Sequence, residues 1–492
     1  MTLPKVGLPG GRVLSAHTPG HGPVQEQPTR SQVLASYLPL KIRERRPSDK
    51  GLFLKNTDQP ADQVTTDESS SSRRPRLALP GSTTSQQGAV SLQVVTAAVQ
   101  GRVGDADQCK GVASALNDAV VNLAAASGQA IDVRTTQAIA LTDTSPEARA
   151  QQLSDACKQW AASLEAGLVD CVVVIASGSG QGLAGTLGNA PKHRGLITAF
   201  TGHQLSSDLL SSKQLPDVVA LPNSTVGDAE AAVLTERTRL VRTKGVPHSF
   251  TDSAVAQAVA AYGAKGHPPL PAIDHDTIVV VLGGDAPDMA GQLRRFSETD
   301  ARALARRIAA IESKRPDGGC CRVIVTNGPR TGRHDESGKV RDPDPHRSGH
   351  PDVVTQAFVT EIGQHMSVDG LLDFQFAALP SALMPLVDAF RRAPAGGRWH
   401  LGGESSSMVS QLGSLLGSAL VIDEIPSMSE AHHSHVAEHA EMVGATILRE
   451  DGTLDVISPK SNAASTQLSA ADQVAETILD VAALRAGVQE PV

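Results

Sequence analysis

Two doubly wound α/β domains in tandem, behind a disordered leader, are what this sequence predicts, and three observations lead there. From Leu92 onward, short continuous apolar runs alternate with helical patterns. The alternation restarts after a Gly/Pro-rich stretch, GAKGHPPLPAIDHD (263–276). The first 90 residues, rich in Pro, Ser, Gln, Thr and Arg, sustain neither a strand nor a helix period. Continuous apolar strands separated by helices mean parallel strands covered on both faces, and 492 residues are too many for one ordinary core.

Residues 1–89 read as disordered, since a polar, aromatic-poor segment cannot bury enough apolar surface to order itself. Such a leader suits threading through an export channel or removal after organelle import; a plain solvated tail is the other reading. Residues 1–90 hold 12 Lys+Arg and 7 Asp+Glu, a charge of +5, which leaves −13 for the rest against the net −8. An acidic folded part makes nucleic acid an unexpected partner. The run KIRERR (41–46) either touches an anionic surface or is solvated. Five cysteines, Cys109, Cys157, Cys171, Cys320 and Cys321, are odd in number and lack paired spacing, so neither a disulfide framework nor a zinc knuckle is expected. No apolar run approaches a membrane span and no secretory h-region opens the chain. The expectation is a soluble protein, cytoplasmic or exported into a host cell. Aromatics make up 2%, so the core has to be Ala, Val, Leu and Ile at close range.

Element by element, LQVVTAAV (92–99) reads as a strand and DADQCKGVASALNDAV (105–120) as a helix. DCVVVIAS (170–177), GLITAFT (195–201) and PDVVALP (216–222) are buried strands of the same domain, 90–268. The second domain, 269–492, opens on the strand TIVVVLGGD (277–285). SETDARALARRIAAIESK (297–314) is a helix with Ser297 and Asp300 at capping-box spacing. CRVIVTNGPRTG (321–332) is strand and loop, helices follow near 350–366 and 380–392, and WHLGGESSS (399–407), SALVIDEIP (418–426) and GATILRE (444–450) continue the strands. A last helix near 468–486 is expected to pack across both domains.

Three loops of the second domain share one position, the carboxyl end of a strand. They carry Gly283, Gly284 and Asp285; Thr326, Asn327, Gly328, Pro329, Arg330 and Thr331; and Gly402, Gly403, Glu404, Ser405, Ser406 and Ser407. In doubly wound sheets ligands bind outside these ends. Backbone N–H groups of such turns form anion-binding concavities, and an arginine grips phosphate with parallel bonds. The three serines either cap a helix and nothing more or offer N–H groups and hydroxyls to a phosphate or sugar. There is no GxxxxGK[ST], and GSGQG (178–182) lacks the spacing and acid of a dinucleotide fingerprint.

ESSSMVSQ (404–411) resembles the D-S-V-S-M-I-S-E signature of the plant mitochondrial-fission (elongated-mitochondria) family and its bacterial relatives. VTNGPRTG (325–332) resembles that family's T-x-S-R-R-T-P segment, GDADQCKGVASAL (104–116) its opening G-x-x-x-Q-x-x-G-L-A-x-A-L, PDVVALPN (216–223) its D-L-V-x-x-P-E strand, and GVPHSFT (245–251) its G-x-x-H-x-x-T. The likeness runs in order from about 92 to 450. That family is in turn similar to GT-B glycosyltransferases, in particular the peptidoglycan N-acetylglucosaminyltransferase with its S-G-A-x-T-V-S-E helix. The resemblance implies a GT-B-like fold, a nucleotide-diphosphate sugar as donor with a UDP-sugar as the first guess, and no obligatory metal or other cofactor. It places Ser405, Ser406 and Ser407 at the diphosphate and Gln411 at the ribose, with Met408 in the same expected binding set. Gln411 stands where the family has an acid, which weakens that contact by roughly 1 kcal/mol. Pro329-Arg330 replaces Arg-Arg, and Asn223-Ser224-Thr225 replaces E-H-D.

The acceptor, an unknown protein or small molecule, is expected on the first-domain side. Asp105 and His248 are the candidate catalytic bases, since a transfer needs a carboxylate or imidazole at the acceptor hydroxyl; an N-cap and a packed turn histidine are the plainer readings. His432, His435 and His439 share one face of a helix, and no metal site is expected, because such imidazoles usually face solvent. The insert GRHDESGKVRDPDPHRSGH (332–350) is either a lid or specificity loop or a plain excursion. Sugar transfer to the acceptor is thus the leading expectation. A non-enzymatic adaptor with a partner on the mitochondrial surface and a nucleotide-sugar epimerase are the alternatives.

Overall fold

The computed structural model describes residues 90–486, apart from 128–129, 143, 179–180, 265–266, 268, 289–290, 316–321, 377–380, 394–395 and 459–468. The leader 1–89, together with Cys320 and Cys321, lies outside the described residues.

Every inner strand of the first half is an apolar run with both faces buried, such as Cys171–Ser177, which is what a parallel sheet between helix layers demands. The strands are β1 (Val90–Val99), β2 (Ile131–Leu141), β3 (Cys171–Ser177), β4 (Leu196–Thr201), β5 (Val218–Pro222) and β6 (Arg239–Thr243). They lie in the order β2-β1-β3-β4-β5-β6, all parallel. The direction of winding reverses between β1 and β3. Val95, Val172, Val174, Leu183 and Phe200 pack one face, and Leu92, Val94, Leu116, Ile175 and Ile197 the other.

The second half repeats the device. Its strands are β7 (Thr277–Val281), a two-residue hairpin of β8 (Ala286–Pro287) with β9 (Leu293–Arg294), β10 (Arg322–Thr326), β11 (Ser367–Leu372), β12 (Arg398–Gly402), β13 (Leu420–Asp423), β14 (Thr446–Leu448) and β15 (Leu454–Val456). The main sheet runs β11-β10-β7-β12-β13-β14-β15, parallel except at its β14–β15 edge. Here winding reverses between β7 and β12. Trp399 is fully buried, edge-on to Phe390 at 5.5 Å, in a core built mainly of Val, Leu, Ile and Ala with Phe296, Phe358, Met366 and Met428.

This is the tandem, Rossmann-like α/β layout expected. The helix over 105–120 is longer, Val103–Ser127, so Asp105 stands in its first turn rather than in a loop before it. The helix Glu298–Glu312 carries the Ser297/Asp300 capping box. One expectation is corrected: the last helix, Ala470–Arg485, does not pack across both halves. It returns to the first, where Ala471, Val474, Ala475 and Ile478 join the core that holds Leu92 and Leu116. Arg485 then bonds the Leu196 carbonyl and the Asp217 carboxylate. Among the described residues no helix is long and apolar enough to cross a membrane, and Cys109, Cys157 and Cys171 are buried free thiols.

Candidate functional site

Two reversals of winding, one per sheet, set the site, because loops diverge there and leave backbone donors exposed at the strand ends. In the second half the loops after β7 and β12 carry Gly283-Gly284 and Glu404 to Ser407. In the first half the loops after β1 and β3 carry the start of the helix Val103–Ser127 and Gly178. These two groups of loops meet. A Cβ added to Gly104 would lie 3.3 Å from Ser407 Oγ, Gln411 Nε2 donates to Asp107 Oδ2 at 2.6 Å, and Val246 N–H donates to Ser410 Oγ at 2.9 Å.

The helix Ser406–Leu416, here the serine helix, starts at Ser405, whose side chain makes no capping hydrogen bond. The serines are therefore not a side-chain N-cap, and the first-turn N–H groups keep the positive end of the helix dipole. Ser406 is buried, and its carbonyl accepts from His435 Nε2 at 3.1 Å. Ser405, Ser407 and Met408 are half-buried. Gln411 is buried, and its Nε2 donates to Asp107.

Within the loop after β10, most of the predicted residues are spent on the protein itself. Thr326 Oγ1 donates to Leu372 O at 2.8 Å. Asn327 Nδ2 faces Asp352, Thr355 and Asp373 at 2.6–2.9 Å. Gly328 N–H donates to Thr331 Oγ1, which in turn reaches Gly283 O at 3.0 Å. His346, Asp352 and Asp373 bring potential ligand atoms within 4.8 Å of one another, but His346 already contacts the Thr331 and Phe374 carbonyls and Asp352 accepts from Thr355. The group is an internal polar knot beneath the loop. Arg330 differs: half-buried, its guanidinium has no hydrogen bond or ion pair to a described residue.

Glycine is required under this loop. A Cβ on Gly284 would come within 2.7 Å of the Arg330 carbonyl carbon, and one on Gly283 within 2.3 Å of Ile425 Cδ1. Glu404 occupies the space so left. Its Oε1 accepts the Gly284 N–H at 2.8 Å, and burial pushes its carboxyl up to about 7, against the pull of Arg330. Glu404 holds the turn from below.

The structure separates the two predicted bases. Asp105, 6% exposed, influences His203 in the loop after β4, whose proton affinity is lowered by burial, raised by Asp105 and lowered again by Arg330 and Arg102. His248 belongs to another corner: its backbone covers Gly111, its Nδ1 accepts from Phe250 N–H at 3.2 Å, and the charge it senses is Asp107. His203 and Asp107 were missed by sequence reasoning. A lone histidine in a Gly-His-Gln loop carries no spacing signal, and its meeting with Asp105 depends on strand order.

The histidine helix (Glu430–Val443) corrects another expectation, because His432, His435 and His439 are buried, not solvent-facing. Burial pushes them down to about 3, 4 and 3, so all three are neutral. His432 Nδ1 accepts the Ser429 N–H at 3.0 Å, and His435 stacks on His439 at 5.8 Å. The insert 332–350 is tied down by His334 Nδ1 on Asp285 Oδ2 at 2.8 Å and Arg333 on Asp344 at 3.1 Å. Its Arg347 lies over Phe376 and would meet a Cβ on Gly101 at 3.4 Å, so the insert reaches the first half.

No protein-family model and no curated protein matches the sequence. Among solved structures the chain is similar to MurG of Acinetobacter baumannii, with 12% identity over 80% of this chain and 94% of that one and a TM-score of 0.33. It is similar to Arabidopsis thaliana UGT89C1 complexed with UDP-L-rhamnose, with 11% identity over 82% and 100% and a TM-score of 0.38. A putative LacI transcriptional regulator from Bacteroides fragilis is also similar, with 8% identity over 82% and 93% and a TM-score of 0.23. At these identities and scores the ligand has to be read from the site's own residues.

Proposed function

We propose that the seam between the two sheets binds a nucleotide-diphosphate sugar and transfers its sugar to an acceptor held on the first-half side. The observation that carries this reading is Arg330, a half-buried guanidinium with no partner among the described residues, beside a helix start that its own serine does not cap. A half-buried guanidinium that makes no hydrogen bond to a described residue is open to an anion, and a diphosphate supplies that partner while accepting from the first-turn N–H groups. Arg102 and Arg330 both act on His203, which marks the corner where an anion is best received.

On this reading Arg330, Ser405, Ser407 and Met408 meet the diphosphate, while Glu404, Gly283, Gly284, Gly328, Thr326, Asn327 and Thr331 shape the loops that present them. His203, with Asp105 to hold its charge, is the base best placed to take the acceptor proton, ahead of His248. Ser406 contributes backbone, and Gln411 ties the halves together. The division at 268/269 belongs to this proposal, with the last helix assigned to the first sheet. A thermal-shift series with nucleotide sugars tests it: a ligand at a hundred times its dissociation constant adds about 2.7 kcal/mol of stability. No shift with any UDP-, GDP- or TDP-sugar would remove the reading.

A further inference from the structure

Glu404 has a feature that holding the turn does not require. It is 5% exposed, and while Oε1 accepts from Gly284 N–H, Oε2 is buried with no hydrogen-bond partner. Oε2 is wedged under backbone, since a Cβ on either Gly283 or Gly402 would stand 2.7 Å from it. An ionised carboxylate with one bare oxygen in such a place is strongly disfavoured, whereas a proton on Oε2 removes the charge and leaves the Gly284 bond in place.

The charged groups that act on Glu404 are Arg330, from the loop after β10, and Asp285, from the loop after β7. Asp285 is itself engaged by His334. On the neighbouring loop and helix, Glu424 is paired with Arg449 and His432 is neutral. Across the seam, Asp105, His203 and Arg102 complete the surroundings. Of these, Arg330 is the cation that favours the ionised form of Glu404. An anion that occupies Arg330 cancels that support and adds a like charge nearby.

We propose that Glu404 is a proton-coupled partner of the anion site: a diphosphate settling beside Arg330 draws a proton from solvent onto Glu404 Oε2, and affinity therefore falls as pH rises. This rests on the diphosphate reading above. Burial already brings the Glu404 carboxyl to about 7, so the coupling falls near neutral pH.

The test is calorimetric titration of the whole protein with UDP-glucose, whose diphosphate diester does not titrate near neutrality, at about pH 7.5 in Tris and in HEPES. The expected result is a binding enthalpy that differs between buffers by the uptake of up to about one proton, with affinity falling at most about tenfold per pH unit above about 7. Glu404→Gln is expected to bind with no buffer dependence and a flat pH profile; the wild-type comparison stands by itself should that variant fail to fold. Wild-type binding with equal enthalpy in both buffers overturns this inference and leaves the diphosphate reading intact. Absence of binding by UDP-glucose and by GDP- and TDP-sugars alike overturns both.

Discussion

Gln411 Nε2 lies 2.6 Å from Asp107 Oδ2, a bond between the serine helix and the first turns of the helix Val103–Ser127 that joins the two halves through a buried and a half-buried side chain. Asp107 also accepts from Ser249 N–H at 3.3 Å and from its hydroxyl, so one carboxylate gathers three segments. The residue expected from sequence at the ribose is also a clasp between the two halves.

Gln411→Glu therefore places a second carboxylate against Asp107. The lost donor and the repulsion are expected to cost about 1–3 kcal/mol in urea unfolding, and Asp107→Asn added to Gln411→Glu is expected to recover most of it. If Gln411→Glu leaves stability unchanged, the clasp does not hold the halves.

Ser405→Ala is expected to change stability by less than about 0.5 kcal/mol, because Ser405 makes no capping bond. Ser297→Ala, which removes a full capping box, should cost about 1 kcal/mol. Equal losses in the two variants would show that Ser405 caps after all.

Gly283→Ala and Gly284→Ala drive a methyl into Ile425 and the Arg330 backbone. Each is expected to destabilise by about 1–3 kcal/mol, read as a lowered urea midpoint, with Arg330 displaced in the second. Wild-type stability in Gly284→Ala would mean that the Arg330 backbone does not press on Gly284.

Acid should weaken the protein through the histidine helix. His432, His435 and His439 are held down at about 3, 4 and 3 against about 6.5 in an unfolded chain. The unfolded state binds protons that the folded state refuses, so stability is full above about 6.5 and is lost as pH falls toward 3–4, by at most roughly 4 kcal/mol per pH unit for three protons. Glu404, raised to about 7, works in the opposite sense between about 4.5 and 7 but counts one proton against three. Unfolding midpoints across that range check the sign, and His435→Phe should flatten the dependence.

Legibility in the sequence followed burial. Strands covered on both faces, β3 or β7, announce themselves as Val/Ile runs. The edges β2 and β11 show polar, partly exposed residues and gave no such signal, because an edge strand has solvent on one side. Gly283-Gly284, Arg330 and the serine turn stood out as small or basic residues directly after apolar strands. His203 and Asp107 could not be singled out, since what gives them meaning is the facing of two loop groups across the seam. The three histidines were visible as a helical face, but not which side that face turned, because the covering residues Ser406, Ser410 and Gly413 come from a separate helix.

The central claim, that the seam receives a diphosphate at Arg330, is tested most directly by calorimetric titration of UDP-glucose into the wild type and Arg330→Ala, with far-UV circular dichroism as the check on folding. The expected result is an unchanged spectrum and a loss of about tenfold to a hundredfold in affinity, the magnitude of a charge-assisted bond worth about 1.5–3 kcal/mol. Equal affinity in the two proteins would contradict it.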